Sequence, residues 1–395
     1  MKILMINDKY ERVGGAENYL ISVCEGLENL GHETAVIYSE GEATKAKRKS
    51  FFVPNLEISE ILKIIENEKP DIINLHNVFN NDLYKILPKL KPTIRYIHDH
   101  RTYSPGSASM HFVSNTICEA RLSWWHQPFF AYRERCMSRN PIKIVRLVSE
   151  RLELLKLHNN LQKILVNSNY VKNRLIQNGV SGDLIFVSPP FVNIPQDKEI
   201  TKSEEPIVLY VGRLFVEKGV EYAIRAVGEI SNARLWVVGD GWDRQRLERL
   251  TTKLGLEGRV KFFGWVESAK LAELYFQATL TVLPSIWPEP FGMSGIESLS
   301  YGKPVVAFKV GGIPEWLADN KVGFLVPRAN EKELAKAIKT LLDNSHLRDR
   351  FGELGRKLVE EKFNKETHLK KLLEIYEESI KNFKSSSAIV DDHFA

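Results

Sequence analysis

Two carboxylates stand eight positions apart in LPSIWPEPFGMSGIESLSYGKPVVA: Glu289 in a proline-rich loop, and Glu297 within the helical stretch that follows. Carboxylates accept hydrogen bonds from hydroxyls, so this pair suits a ligand rich in them, such as a sugar or a ribose. The backbone N–H groups of Phe291, Gly292 and Met293 open that helix and would point at an anion. The other reading makes Glu297 a complement to the helix dipole and Glu289 a loop acid, but the whole strand–loop–helix frame favours the ligand. Two cations, Arg213 and Lys218, lie in YVGRLFVEKG, where a strand ends and a helix begins. Gly212 lets the backbone pass close to a ligand there. With a helix N-terminus, the two cations would hold a pyrophosphate, or they are solvated surface charges. Gly239, in the GDG of WVVGDGWDRQRLE, and Gly14-Gly15, in NDKYERVGGAENYL, mark two more strand-to-helix turns. Neither has the GxGxxG spacing of a dinucleotide fold. IRYIHDH sets His98 and Asp99 at the carboxyl end of a strand, and His76-Asn77 end the strand before it.

Alternating strands and helices position these groups. Strands are expected at 2–7, 33–38, 71–75, 93–98, 163–166 and 184–188, with helices at 16–30, 59–68, 142–158 and 169–178. A polar linker, Asn193–Glu205, follows, and the pattern restarts. Strands at 207–211, 234–238, 260–263, 280–283 and 304–308 alternate with helices at 220–227, 243–254, 269–277 and 292–301. This β-α-β order predicts an α/β protein with two doubly wound, Rossmann-like domains facing across a cleft, where ligands bind at strand carboxyl ends. Helices at 331–344, 346–362 and 365–383 close the chain, and SSSAIVDDHFA at its end reads as frayed.

The 395 residues suffice for two such cores. A net charge of +5 is mildly basic, compatible with phosphates or an anionic membrane surface, and no nucleic-acid partner is expected. Cys24, Cys118 and Cys136 form no close pair, which argues against a disulfide scaffold and for a reducing compartment. The first apolar run stops at Asn7, short of a signal-peptide core. No run approaches the ~18 apolar residues of a spanning helix. The expectation is a cytoplasmic protein, with peripheral docking at the inner membrane surface as the other arrangement. Between Arg121 and Lys156 stand eight basic and three acidic residues, with Trp124, Trp125, Phe129, Phe130 and Tyr132 clustered among them. That mixture suits a membrane interface or a glycan platform, or a loop packed on its own domain. No metal-ligand cluster is seen in the spacing.

EPFGMSGIE, GRLFVEKG, the GDG turn and VGGIPEWL…GFLVP together resemble the retaining glycosyltransferases of family 4, with the GT-B fold. The resemblance covers nearly all of the chain and is strongest from Ile207 to Pro327. It implies an acceptor-binding domain at 1–195 and a nucleotide-sugar-binding domain at 196–364. A C-terminal helix, 365–395, would cross back to the first domain. It also implies Glu289 on the donor sugar, Glu297 on the ribose, and Arg213 and Lys218 on the diphosphate. Gly14, Gly15, Gly212, Gly239 and the 291–293 backbone would line the donor. His98 would hydrogen-bond the reacting sugar, with Asp99 orienting it or the acceptor hydroxyl. Glu17 would face the acceptor or complement its helix dipole. The implied co-substrate is a UDP-, GDP- or ADP-sugar, the acceptor a glycan, lipid-linked or small molecule, and no cofactor or metal is expected. Some relatives carry HD…CP followed by several cysteines; here Ser104-Pro105 stands at the CP, and only Cys118 and Cys136 follow. A non-catalytic sugar-nucleotide scaffold, a GT-B epimerase or phosphorylase and an NAD-dependent enzyme are the rival readings. The last lacks its glycine fingerprint, and a phosphorylase lacks a second phosphate motif.

Overall fold

The computed structural model describes residues 1–11, 14–41, 48–196 and 205–392, with 386–392 described by backbone alone. The central part of the polar linker, 197–204, lies outside the described residues. Contacts divide the chain into two units, Met1–Pro190 with Lys365–Ala395, and Phe191–Asn364.

In the first unit, β1 (Lys2–Ile6) leads through α1 (Gly15–Asn29) to β2 (Glu33–Tyr38) and β3 (Lys49–Phe52). Then come α2 (Ile58–Glu68), β4 (Ile72–Leu75), α3 (Asn81–Leu90) and β5 (Thr93–Ile97). An insertion follows: the hairpin β6 (Met110–His111) and β7 (Thr116–Ile117), α4 (His126–Glu134) and α5 (Pro141–Leu157). The sheet resumes with β8 (Lys163–Val166), α6 (Asn169–Gln177) and β9 (Ile185–Val187). Its seven strands run in the order β3-β2-β1-β4-β5-β8-β9, all parallel. All of β4 and β5 is buried, as expected of a parallel sheet covered on both faces. Helix starts follow local chemistry. The Asn80 side chain accepts from Asp82 N–H, Asn140 from Ile142 and Lys143, and Ser168 from Val171.

The second unit repeats the plan: β10 (Ile207–Val211), α7 (Val220–Gly228), β11 (Arg234–Val238), α8 (Arg244–Lys253), β12 (Val260–Gly264) and α9 (Ser268–Gln277). It continues with β13 (Leu280–Leu283), α10 (Met293–Ser300), β14 (Val305–Phe308), β15 (Gly323–Val326), α11 (Glu331–Asp343) and α12 (Ser345–Lys362). Its sheet order is β12-β11-β10-β13-β14-β15.

The last helix, α13 (Lys365–Asp392), belongs to the first unit. Its backbone stays helical to Asp392, so the stretch expected to fray continues the helix through 392; 393–395 lie outside the described residues. Its anchor is polar. His368 Nδ1 donates to the Pro189 carbonyl (2.9 Å), which leaves Nε2 to accept from the Tyr19 hydroxyl (2.7 Å) and fixes one neutral tautomer. Further along, the Tyr376 hydroxyl accepts from Asn74 Nδ2 (2.8 Å).

Burial brings the His368 pKa down to about 4. The unfolded chain therefore binds protons before the folded one as pH falls, and stability is lost between about pH 6.5 and 4. His368→Ala removes both bonds and leaves a void, with an expected loss of ~2–4 kcal/mol in the urea unfolding of the first unit. His368→Gln should show a shallower stability loss than wild type across that pH window.

Candidate active site

In the second sheet the strand order reverses between β10 and β13, so the loops after these strands meet at the topological switch point. Their backbones touch. A Cβ on Gly219 (φ +65°) would lie 2.0 Å from the Pro284 carbonyl oxygen, so only glycine fits there. The Ile286 and Trp287 N–H groups both donate to the Glu217 carbonyl, at 2.9 and 3.2 Å. This approach sets Lys218 Nζ 2.7 Å from Glu289 Oε1 and 4.4 Å from the centre of the Trp287 ring. The Ser285 hydroxyl donates to the same carboxylate oxygen at 2.5 Å. Burial pushes the Glu289 carboxyl up. The Lys218 charge and hydrogen bond, with those of Ser285 and Trp287, outweigh it and hold the group below its ordinary value.

Glu297 lies in the second turn of α10, half-buried, and accepts from the Tyr275 hydroxyl at 3.1 Å. Burial raises its pKa, and that one hydrogen bond does not offset it. The helix starts at Gly292 in the left-handed region (φ +91°), just before Met293. The Phe291 side chain is buried against Phe363 and its carbonyl accepts from Trp316 Nε1. Gly239 (φ +124°) packs so closely that a Cβ there would meet the Gly212 carbonyl oxygen at 1.9 Å. Arg213 stands exposed, its guanidinium 4.9 Å from the Phe215 ring centre. The fold therefore joins Lys218 and Glu289 directly, while Arg213 points along the surface of the same loop.

In the first sheet the order reverses between β1 and β4. Asn7, after β1, accepts through Oδ1 from the Asn77 N–H after β4 (3.0 Å). His98 Nε2 lies 2.9 Å from His76 Nδ1, and its ring packs against those of Tyr96 (4.6 Å) and Tyr19 (5.3 Å). Burial, then the charges of Arg101 and Arg95, bring the His98 pKa down to about 3. Asp99, expected to orient His98 or the acceptor hydroxyl, is bonded to Arg101. Its carboxylate accepts from the backbone N–H (2.8 Å) and Nε (2.7 Å) of Arg101, a two-residue reach that closes a turn. Arg101 also approaches Asp8 (3.5 Å). Burial holds the Asp8 and Glu17 carboxyls above their ordinary values. Glu17 folds back over the start of α1, where a Cβ on Gly14 would meet its carboxylate at 2.5 Å, while one on Gly15 would meet nothing within 4 Å.

Three guanidinium groups surround the Phe79 ring: Arg151 at 4.2 Å, Arg101 at 4.8 Å and Arg95 at 5.3 Å. Arg95 is buried and donates to His158 Nε2 (2.7 Å), a neutral partner. Burial, then the charge of Arg95, bring the Arg151 pKa down to about 10. Arg95 Nε and Arg151 Nε and NH1 are buried with no hydrogen-bond partner.

Residues 13–195 match the family model Glycosyltransferase Family 4, and 193–358 match Glycosyl transferases group 1. Together the two models cover residues 13–358, and both support a glycosyltransferase of the family 4/group 1 type. An uncharacterized glycosyltransferase of Methanocaldococcus jannaschii is 34% identical over 178 residues, 44% of this chain and 45% of that protein. The alpha-D-kanosaminyltransferase of Streptomyces kanamyceticus is 35% identical over 179 residues, 44% of this chain and 46% of that protein. The matched segment thus spans about half the length of these curated relatives. Sucrose-phosphate synthase from Thermosynechococcus elongatus superposes with a TM-score of 0.75 at 21% identity, covering 95% of this chain and 98% of its own. Anabaena HepE in complex with UDP-glucose gives 0.70 at 21%, covering 98% and 100%. The fold is GT-B.

Within this glycosyltransferase fold, several groups beside the expected residues escaped the sequence. Ser285 and Arg101 take their places by short reaches within their own loops, to Glu289 and Asp99, while Tyr275, Asp8 and Arg95 gain theirs by contacts with residues distant in sequence, Glu297, Arg101 and His158. The spacing also showed no metal-ligand cluster, yet His111, Cys118 and His126 bring one ligand atom each within 4.8 Å of one another. Their separations of seven and eight residues match no short ligand motif, and only the hairpin fold closes them up. With its pKa at about 3, His98 should stay neutral throughout pH 5–8. Its ring proton shifts in NMR should be flat over that range, and an inflection near pH 6.5 would contradict the burial argument.

Proposed function

We propose that the protein is a retaining glycosyltransferase that moves a sugar from a nucleoside diphosphate to a glycan, lipid-linked or small-molecule acceptor. Cell-surface polysaccharide or glycolipid synthesis is the setting. The observation that carries this reading is the Lys218–Glu289 pair at the switch point of the second unit, with Arg213 on the same loop and the α10 N-terminus following Glu289. A sugar diphosphate needs cations for the phosphates and hydroxyl acceptors for the sugar, and this loop pair offers both. UDP-glucose bound in a protein of the same fold supports a nucleotide-sugar donor.

In the proposed reaction, the bond from the anomeric carbon to the diphosphate oxygen breaks. The acceptor oxygen bonds to that carbon on the same face, and the acceptor proton passes to the departing phosphate oxygen. Glu289 is held by Lys218 and Ser285, which suits a hydroxyl acceptor better than an attacking nucleophile. Lys218, Arg213 and the N–H groups of Gly292 and Met293 stabilise the charge that builds on the leaving diphosphate. Those cations serve where a divalent metal serves in other enzymes. Glu297 holds the ribose hydroxyls. His98, neutral, acts as a hydrogen-bond partner to the sugar rather than as a charged acid. The three arginines around Phe79 favour an acceptor that carries negative charge.

No helix among the described residues is long and apolar enough to cross a membrane. Trp124, Trp125, Phe129, Tyr132, Ile142 and Val145 are exposed on and around α4 and α5, beside exposed Arg133, Lys143 and Arg146. Apolar side chains interleaved with cations suit contact with an anionic bilayer from the cytoplasmic side.

A thermal-shift panel of UDP-, GDP- and ADP-sugars, followed by nucleotide-release assays with acceptors, tests the assignment. Arg213→Ala and Lys218→Ala should each lower turnover by roughly a hundredfold or more, with circular dichroism unchanged. Near-normal transfer would defeat the reading, and binding without nucleotide release across a broad acceptor range would favour a scaffold. For the membrane contact, wild type should co-float with vesicles containing anionic lipid and not with neutral ones. Trp125→Ala/Phe129→Ala should abolish co-flotation; equal recovery of both proteins would count against it.

A further inference from the structure

The insertion between β5 and β8 contains a cluster that the transfer reaction does not use. His111 ends β6, Cys118 follows β7 directly, and His126 opens α4. One ligand atom from each lies within 4.8 Å of the other two. Two further observations point the same way. His111 Nδ1 lies 3.3 Å from the Thr116 hydroxyl, while its Nε2 is buried with no partner. His126 Nδ1 is likewise buried and unpartnered. Leaving buried ring nitrogens unsatisfied carries a desolvation cost, so the arrangement lacks something that accepts their lone pairs.

We propose that His111, Cys118 and His126 bind a zinc-like divalent transition metal that staples the β6–β7 hairpin to the start of α4.

Two imidazoles and a thiolate form a ligand set for Zn²⁺ or Co²⁺ rather than for Mg²⁺ or Ca²⁺, which take oxygen ligands. Binding replaces the Cys118 thiol proton, which leaves to solvent, and the neutral imidazoles give up no proton through the ligating nitrogen. A solvent molecule completes a four-coordinate shell. The surroundings already orient the ligands. The Phe130 ring stacks on His111 (4.6 Å, 9°) and on His126 (4.1 Å, 21°), and the Cys118 N–H donates to the Ser109 carbonyl (2.9 Å). The Thr116 hydroxyl beside Nδ1 leaves Nε2 of His111 for the metal. Arg174 of α6 donates to the carbonyls of Cys118 (3.3 Å) and Ala120 (3.0 Å), tying the Cys118 strand end to the main sheet layer.

The test uses the full chain, stripped with chelator and dialysed, then titrated with Co²⁺ and Zn²⁺. The expected results are a thiolate-to-cobalt charge-transfer band that saturates at about one equivalent, and a rise of several degrees in melting temperature with zinc. Cys118→Ser should abolish the band with circular dichroism unchanged, and His126→Ala should weaken cobalt binding at least about tenfold. Cys24→Ser and Cys136→Ser should both keep the band. No band in folded protein, a band that survives Cys118→Ser, or one lost in Cys136→Ser would overturn the assignment. None of these readouts involves a nucleotide sugar, so failure here leaves the transferase reading untouched.

Discussion

The candidate site of the second unit is organised around one buried ion pair. Lys218 and Glu289 sit 2.7 Å apart with about 15% and 10% of their side chains exposed, so both ions have lost most of their hydration. Such a pair holds its place only if geometry and extra hydrogen bonds repay that loss, and removing one partner costs roughly 3–5 kcal/mol. Ser285 supplies one such bond to the carboxylate, and the Trp287 ring lies against the ammonium. Geometry comes from glycines. Gly219 brings the β10 loop onto Pro284, and a Cβ on Gly311 would lie 2.1 Å from the Glu289 carbonyl oxygen. A diphosphate arriving here would compete with Glu289 for Lys218, so part of the proposed binding energy goes into sharing a cation already in position.

The first unit treats charge differently. Its switch point carries neutral imidazoles, with His76 and His98 both depressed by burial and packed among Tyr19 and Tyr96. Around Phe79 it holds cations without enough acids. Arg101 has Asp99 and Asp8, while Arg95 faces a neutral histidine. The one unit is locally balanced and the other locally positive, as a division into donor and acceptor halves would require if the acceptor is acidic.

The central strands were legible because they are buried on both faces and read as apolar runs. Thr93–Ile97, Lys163–Val166 and Ile207–Val211 leave little choice of period or boundary. The missed elements lacked that signal. Strand β3 is short, half-exposed and begins with Lys49; α3 carries Pro88 inside it, which reads as a break; β6 and β7 have two residues each. Residues 385–392 carry three serines and read as a fraying end, yet their backbone continues α13. At the candidate site, motif spacing located the loops but not the pairings. Asp99 and Arg101 are close in sequence, and nothing in IRYIHDH distinguishes a carboxylate turned to its own turn from one turned to His98. Ser285 reaches Glu289 by a fold of their shared loop, and Tyr275 of α9 reaches Glu297 of α10 by packing between helices; spacing alone records neither.

The insertion after β5 shows the same limit from the other side. Its elements are short, and α4 spends its aromatic residues outward, with Trp125, Phe129 and Tyr132 exposed and Ala131 turned inward. A segment with so few inward apolar residues needs other fastenings. Polar ones are present: Arg174 and Asn178 of the α6 region hold the Cys118–Leu122 backbone, and Glu134 accepts from the Ser114 N–H at the hairpin turn. These tie down the Cys118–Leu122 stretch and the hairpin turn, while His111 and His126, which flank Phe130, have aromatic stacking and unpartnered ring nitrogens. A metal at that point would supply the missing cross-link between hairpin and helix. It would also hold rigid the face that carries the exposed tryptophans, coupling a structural ion to a surface proposed for membrane contact without any part in the transfer itself.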